Sequence, residues 1–158
     1  KNFYRLSYKP QNYGALNITI KLCLPEGEKE ISTQVYYPPP KKNVPALISI
    51  LFPFDKYMIP KKYIPEVEKV HNLMTQIYPK CKIELHGHTC DKGDEDYNQQ
   101  LSENRANAVK DALVKRGISK DRIKVVGFGE SSPVVPNDSE ENRKINRRTE
   151  FIITETGE

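Results

Sequence analysis

The stretch Ile83-Glu84-Leu85-His86-Gly87-His88-Thr89-Cys90-Asp91-Lys92-Gly93-Asp94-Glu95-Asp96-Tyr97-Asn98-Gln99-Gln100-Leu101-Ser102-Glu103-Asn104-Arg105-Ala106 carries a strand into a helix. Ile83 and Leu85 alternate with Glu84 and His86, the period-two pattern of a half-buried strand. Gly87 and Gly93 bracket a polar loop, and Asp94 and Glu95 supply first-turn acidity. Leu101, Ala108, Val109 and Ala112 then recur at helical spacing until Gly117 stops the run. A strand thus delivers its polar end to a helix start. Arg105 is out of place, because it lies on the apolar stripe, four residues after Leu101 and three before Ala108. A guanidinium there stays charged and wants a carboxylate. Two readings stand: an internal salt bridge to Asp91 or Glu84, and a pocket for a ligand's carboxylate.

Further motifs follow in order. Gly87-His88-Thr89, Tyr97-Asn98, Leu101-Ser102, Arg105-Ala106, Gly127-Phe128-Gly129-Glu130 with Pro133, and Asn146-Arg147-Arg148 together resemble the OmpA-like peptidoglycan-binding domain family, which includes OmpA carboxy-terminal domains, Pal lipoproteins and MotB. The resemblance covers about residues 46–154 and leaves the first forty or so unassigned.

The flanking chain is consistent with one such domain and an appendage. Its 158 residues hold one fair-sized domain or a domain plus a small module, and an apolar share of 37% suffices for a core. Net charge +4 permits an anionic partner without demanding nucleic acid. No run of about 18 apolar residues occurs, so no helix of the sequence is expected to span a membrane. The start at Lys1 suggests a mature form or an excised piece. Leu16, Ile18, Ile20, Leu22 and Leu24 alternate with polar residues, Pro25-Glu26-Gly27-Glu28 signals a turn, and Ile31, Thr33, Val35 and Tyr37 alternate again, predicting a hairpin. Phe3 to Tyr8 is a candidate third strand, and Pro38-Pro39-Pro40-Lys41-Lys42 a semi-rigid linker. Residues 1–40 are therefore expected to be a β-rich segment or the tail of an upstream β-module, and 41–158 the main domain.

In that domain the run Ala46 to Phe52 suits a central strand. Pro65 fits a helix first turn, with Val67, Val70, Leu73 and Ile77 as its buried stripe. Ile123 to Val126 is the next strand, Ser131 to Asn142 a polar loop, and Arg148 to Thr154 a last strand closing the sheet. The expected fold is an α/β sandwich, β-α-β-α-β-loop-β, with helices on one face of a mixed sheet, as the resemblance also implies.

Three cysteines leave at least one thiol unpaired within the chain. Cys81 and Cys90 flank one strand, and at ~3.3 Å per residue they stand more than ~20 Å apart, beyond the ~7 Å a disulfide tolerates. Cys23 with Cys81 is then the one intrachain pair to entertain. His86, His88 and Cys90 would share a face with Asp91 nearby if the strand ran on, a possible zinc set, but Gly87 and the polar loop argue against it. No phosphate loop, nucleophile elbow or spaced carboxylate pair appears, so a binding module without cofactor or metal is expected rather than an enzyme.

The resemblance implies the ligand. In the family an aspartate of the loop after the second strand holds the ammonium of a stem-peptide diaminopimelate, and the arginine of the following helix holds its carboxylate. Arg105 matches that arginine. Cys90 falls where the aspartate stands, with Asp91 one place later. A thiol supplies almost no charge for a cation, so the favoured expectation is that Asp91 turns inward; the alternatives are that Asp55 and backbone carbonyls share the load, or that the peptide sits differently. Asp55 matches the family's polar residue after the first strand, against an exposed loop acid as the plain reading. Arg148 matches the second arginine of the terminal motif, which faces the groove, against a basic run on a solvated strand edge. Asn98 belongs to the site or braces the helix.

The implied role is anchoring an outer-membrane or periplasmic complex to peptidoglycan from the periplasm, with outer-membrane attachment through parts outside this chain. The Cys-for-Asp loop and the β-rich segment also resemble multi-module envelope lipoproteins of the Bacteroidota, some of which tether secretion machinery. The alternative is an envelope protein-interaction module that uses the basic cluster of Asn142-Arg143-Lys144 and Arg147-Arg148 on an acidic partner. Nucleic acid is the weakest choice, since the cluster lacks interleaved aromatics.

Overall fold

The computed structural model describes residues 14–24, 27–37 and 45–155. Two compact units divide the chain, Lys1–Pro39 and Pro40–Glu158. In the first, β1 (Gly14–Leu24) and β2 (Gly27–Tyr37) pair antiparallel, with Ile20 opposite Ile31 and Leu24 opposite Gly27. The predicted strand at Phe3 to Tyr8 and the proline linker lie outside the described residues.

The second unit runs β3 (Pro45–Leu51), α1 (Ile64–Asn72), β4 (Lys82–Gly87), α2 (Glu95–Val114), β5 (Ile123–Gly127), α3 (Glu140–Asn146) and β6 (Arg148–Glu155). The strands form one mixed sheet in the order β3-β6-β4-β5, in which β4 and β5 are parallel and β6 is antiparallel to both its neighbours. The helices pack on this sheet, α2 against β4, β5 and β6, and α1 against β3 and α2.

Two strand expectations change. The apolar run at 46–52 is an edge strand, not a central one; its Ile50 and the following Phe52 are buried, and both α1 and α3 contact it. The last strand does not close an edge but inserts between β3 and β4, and Phe151, Ile152 and Ile153 are buried in succession. Chain order carries no information about order in the sheet, and alternation in the residue letters does not register three consecutive buried positions.

In α1 Pro65 stands in the first turn as predicted, and Val67 and Val70 face the core. Leu73–Ile77 then winds as a π-helix, closed by Tyr78 N donating to Leu73 O at 2.8 Å. The wider turn puts Met74, fully buried, where Ile77 was expected. Arg122 donates to Met74 O, freed at the end of this turn, at 2.9 Å, and to Cys81 O in the loop before β4 at 2.8 Å. Cys81 is a free, buried thiol whose pKa burial pushes up; the side chain of Cys23, its candidate partner, lies outside the described residues.

Helix α2 begins after Asp94 with Glu95 and Asp96 in its first turn, where the macrodipole favours acids. It ends in a Schellman arrangement: Ile118 N bonds Leu113 O at 3.2 Å, Gly117 N bonds Val114 O at 2.9 Å, and Gly117 has φ 96°. Leu113, completely buried, contributes on the order of 1.5–3 kcal/mol through burial alone. The helix lies so close to β4 that a Cβ on Gly87 would stand 1.9 Å from Ser102 O. Among the described residues, no helix is long and apolar enough to cross a membrane.

Candidate functional site

Three backbone bonds gather the loops beyond the strand ends. Phe52 N donates to Arg147 O at 2.8 Å, His88 N to Arg148 O at 2.8 Å, and Thr89 N to Gly129 O at 2.7 Å. Ser102 Oγ accepts from Gly129 N at 3.0 Å, fixing the loop after β5 on α2. Between these loops lies a pocket of about 250 Å³, lined by Phe54 and Asp55 after β3, Thr89, Cys90, Lys92 and Gly93 after β4, Tyr97, Asn98, Leu101 and Arg105 on α2, and Arg147 before β6.

Arg105 is completely buried at its wall. Neither expected salt bridge forms. Its Nε donates to Lys56 O at 2.9 Å, Nη1 to His88 O at 2.9 Å and Nη2 to Pro53 O at 3.2 Å, and no carboxylate pairs with it among the described residues. Three of its five N–H donors are therefore spent on backbone, which orients the guanidinium and leaves two. Burial, then the nearby charge of Arg147, lowers its pKa to about 10, so it stays cationic at neutral pH. The ring of Phe52 lies 5.4 Å from its Cζ.

Of the other expected site residues, the structure brings Asp55, Cys90 and Asn98 into the same pocket and leaves Asp91 and Arg148 out. Asp55 accepts a hydrogen bond from the Tyr97 hydroxyl and has φ 56°, the one non-glycine residue with positive φ among the described residues. Such strain is often kept where a side chain must be aimed. Cys90 is buried beside Arg147, whose Nη1 is 3.8 Å from Sγ. Asn98 braces the pocket, with Nδ2 donating to Glu130 at 2.6 Å and to Lys92 O at 3.2 Å.

Asp91 points the other way from the favoured expectation. Arg143 Nε and Nη2 reach its two oxygens at 2.7 and 3.3 Å, and this fork holds the carboxyl below its ordinary pKa. Arg148 turns from the groove to Glu150 at 2.6 Å, Asn146 O at 3.2 Å and Ser132 O at 3.3 Å. Its neighbour Arg147 takes the place at the pocket, donating to Phe52 O at 3.3 Å and Glu140 at 3.0 Å. Neither lies on a solvated edge, since both are at least 96% buried. The basic cluster is consequently not one surface: Arg147 and Arg148 are interior and Arg143 is paired with Asp91.

Thr89, Lys92, Phe54 and Tyr97 were not singled out as site residues from the sequence. Tyr97-Asn98 served only as a family marker, although a tyrosine on the first turn of α2 is well placed to reach the loop after β3.

His86 and His88 pack on the same ring, Phe128, but their nitrogens take different surroundings. His86 Nε2 meets Glu84 at 2.9 Å, whereas His88 is buried, stacked on Phe128 with centroids 5.1 Å apart. Among the described residues, no group of three or more His, Cys, Asp or Glu is placed to hold a metal ion. Burial, followed by the charges of Arg148 and His86, lowers the His88 pKa from 6.5 to about 3. The folded state then binds fewer protons than the unfolded state between these values, so stability falls as pH drops from about 6.5 toward 3. Urea midpoints at pH 7.5 and 5.5 should differ less in His88→Gln than in the parent; equal differences would remove His88 as the cause.

The chain matches the OmpA family over residues 51–147. It is 41% identical over 106 residues to outer membrane porin F of Pseudomonas fluorescens, covering 67% of this chain and 32% of the porin, so the chain spans about a third of that relative's length. The structure of the peptidoglycan-associated lipoprotein from Burkholderia pseudomallei superposes with a TM-score of 0.64 at 28% identity, covering 66% of this chain and 88% of that one. The cell wall anchor of the type VI secretion system from Pseudomonas aeruginosa superposes with a TM-score of 0.57 at 25% identity, covering 66% and 75%. With the mixed sheet, the Gly87 contact and the closing Asn146-Arg147-Arg148 all in place, this chain belongs to the OmpA family.

Proposed function

We propose that the chain binds the peptide stem of peptidoglycan non-covalently, through the side-chain carboxylate of diaminopimelate, and so anchors an envelope complex to the cell wall. The observation that carries this reading is Arg105, a buried guanidinium at a pocket wall with two free donors and no carboxylate partner among the described residues. A planar fork held by backbone is suited to a carboxylate. Arg147 adds a second cation, and Asp55 with Tyr97 offers polar groups at the mouth to the peptide. Two of the similar structures are a peptidoglycan-associated lipoprotein and a secretion-system cell wall anchor, which agrees with a periplasmic site of action, outer-membrane attachment through parts outside this chain, and a secretion machinery as the anchored assembly. A binding role needs no cofactor, and the pocket offers no paired nucleophile and base.

Co-sedimentation with purified sacculi tests it. The protein should pellet with them, and soluble stem tetrapeptide should release it. Protein that stays in the supernatant, or that a stem peptide does not displace, would overturn the reading.

A further inference from the structure

We infer that the floor of the pocket takes a carboxylate whose neighbouring nitrogen is an uncharged amide, so that cross-linked stems bind as well as uncross-linked ones; this rests on the stem-peptide reading above. In a free stem the diaminopimelate side chain ends in an ammonium beside a carboxylate. In a cross-link that nitrogen is acylated and becomes a neutral N–H donor, while the carboxylate persists.

The buried lining decides between the two. Thr89 and Cys90, each 2% exposed, lie there with the guanidiniums of Arg105 and Arg147. Each acid just behind the lining already has a partner: Asp91 is held by Arg143, outside the pocket, and Glu130 and Glu140 by the lining residues Asn98 and Arg147. Asp55, the one acid of the lining, belongs to the mouth with the exposed Phe54 and Tyr97, and accepts the Tyr97 hydroxyl. An ammonium on the floor would meet the unpaired Arg105 guanidinium, Arg147 already matched by Glu140, and a thiol, with no carboxylate left for it there, an arrangement that disfavours the cation. An amide N–H carries no such penalty. Thr89 Oγ1 is buried with no hydrogen-bond partner among the described residues, and a hydroxyl oxygen accepts from an amide as readily as it donates to a carboxylate. The acyl group that forms the cross-link can leave between Phe54 and Tyr97, which are 55% and 52% exposed.

Calorimetry with three synthetic stem tetrapeptides tests this. One has the free diaminopimelate side-chain amine, one is acetylated on that amine, and one has the side-chain carboxylate amidated. The first two should bind within about threefold of each other, and the third at least about tenfold more weakly, since it loses a charge-assisted bond. Cys90→Asp should restore a preference of about tenfold for the free amine by placing a carboxylate on the floor. Preference of the wild-type protein for the free amine by tenfold or more would overturn the inference alone, and should Cys90→Asp not fold, that wild-type ratio decides. Failure of all three peptides to bind would overturn the stem-peptide reading and the inference with it.

Discussion

Arg105→Lys is expected to weaken binding to sacculi and to stem tetrapeptide by at least about tenfold, because a charged hydrogen bond is worth ~1.5–3 kcal/mol and 1.4 kcal/mol is tenfold. Lysine keeps the positive charge but not the fork, so it cannot serve Lys56 O, His88 O and Pro53 O and a ligand carboxylate together. Arg105→Ala should bind no better and should also lose stability, since three carbonyls lose their donor. The lysine variant therefore separates binding from folding: a melting temperature within a few degrees of the parent alongside wild-type affinity would remove Arg105 from the site.

The second large effect is expected at Gly87. A Cβ there would stand 1.9 Å from Ser102 O and 2.7 Å from Ser102 C, both backbone atoms that no rotamer change can move. Overpacking a core typically costs ~1–3 kcal/mol, and a backbone clash lies at or beyond the upper end of that range. Gly87→Ala should lower the melting temperature by more than about 10 °C, taking ~4–8 °C per kcal/mol for a domain near this size. Gly117→Ala provides the contrast, because nothing lies within 4 Å of its Cβ and only the left-handed φ of 96° resists it. Its cost should stay near ~1–2 kcal/mol. Equal losses at the two positions would mean that β4 and α2 separate easily.

Both effects arise from residues that the sequence displays openly. The Ile83–Leu85 alternation, the polar loop between two glycines and the stop at Gly117 correspond to β4, the pocket loop and the end of α2. Arg105 stood out because a guanidinium on an apolar stripe needs a reason. Helix α3 was hidden inside the predicted loop, since Glu140 to Lys144 offers no apolar stripe and Asn146 alone is buried. Its signs are electrostatic: Ser139 accepts from Asn142 N at 3.2 Å, with acids in the first turn and bases in the last.

The choice between Arg147 and Arg148 was equally closed to the sequence. Which of two adjacent arginines faces the groove depends on where β6 begins, and the register that sets Thr149 opposite Gly87 puts Arg147 at the pocket. Asp91 depended on a partner 52 residues away, Arg143, on a helix that was not anticipated. Asn146 shows the same dependence on the tertiary fold: its side chain accepts from Val134 N at 3.0 Å and donates to Val135 O at 2.8 Å, holding the loop after β5.

A crystal structure of the protein with a stem tetrapeptide bound tests the central claim most directly. The diaminopimelate side-chain carboxylate should lie within about 3 Å of an Arg105 Nη atom, as expected of a charge-assisted bond, with Asp91 still on Arg143. A peptide bound elsewhere on the surface, with the Arg105 guanidinium touching only backbone carbonyls, would contradict it.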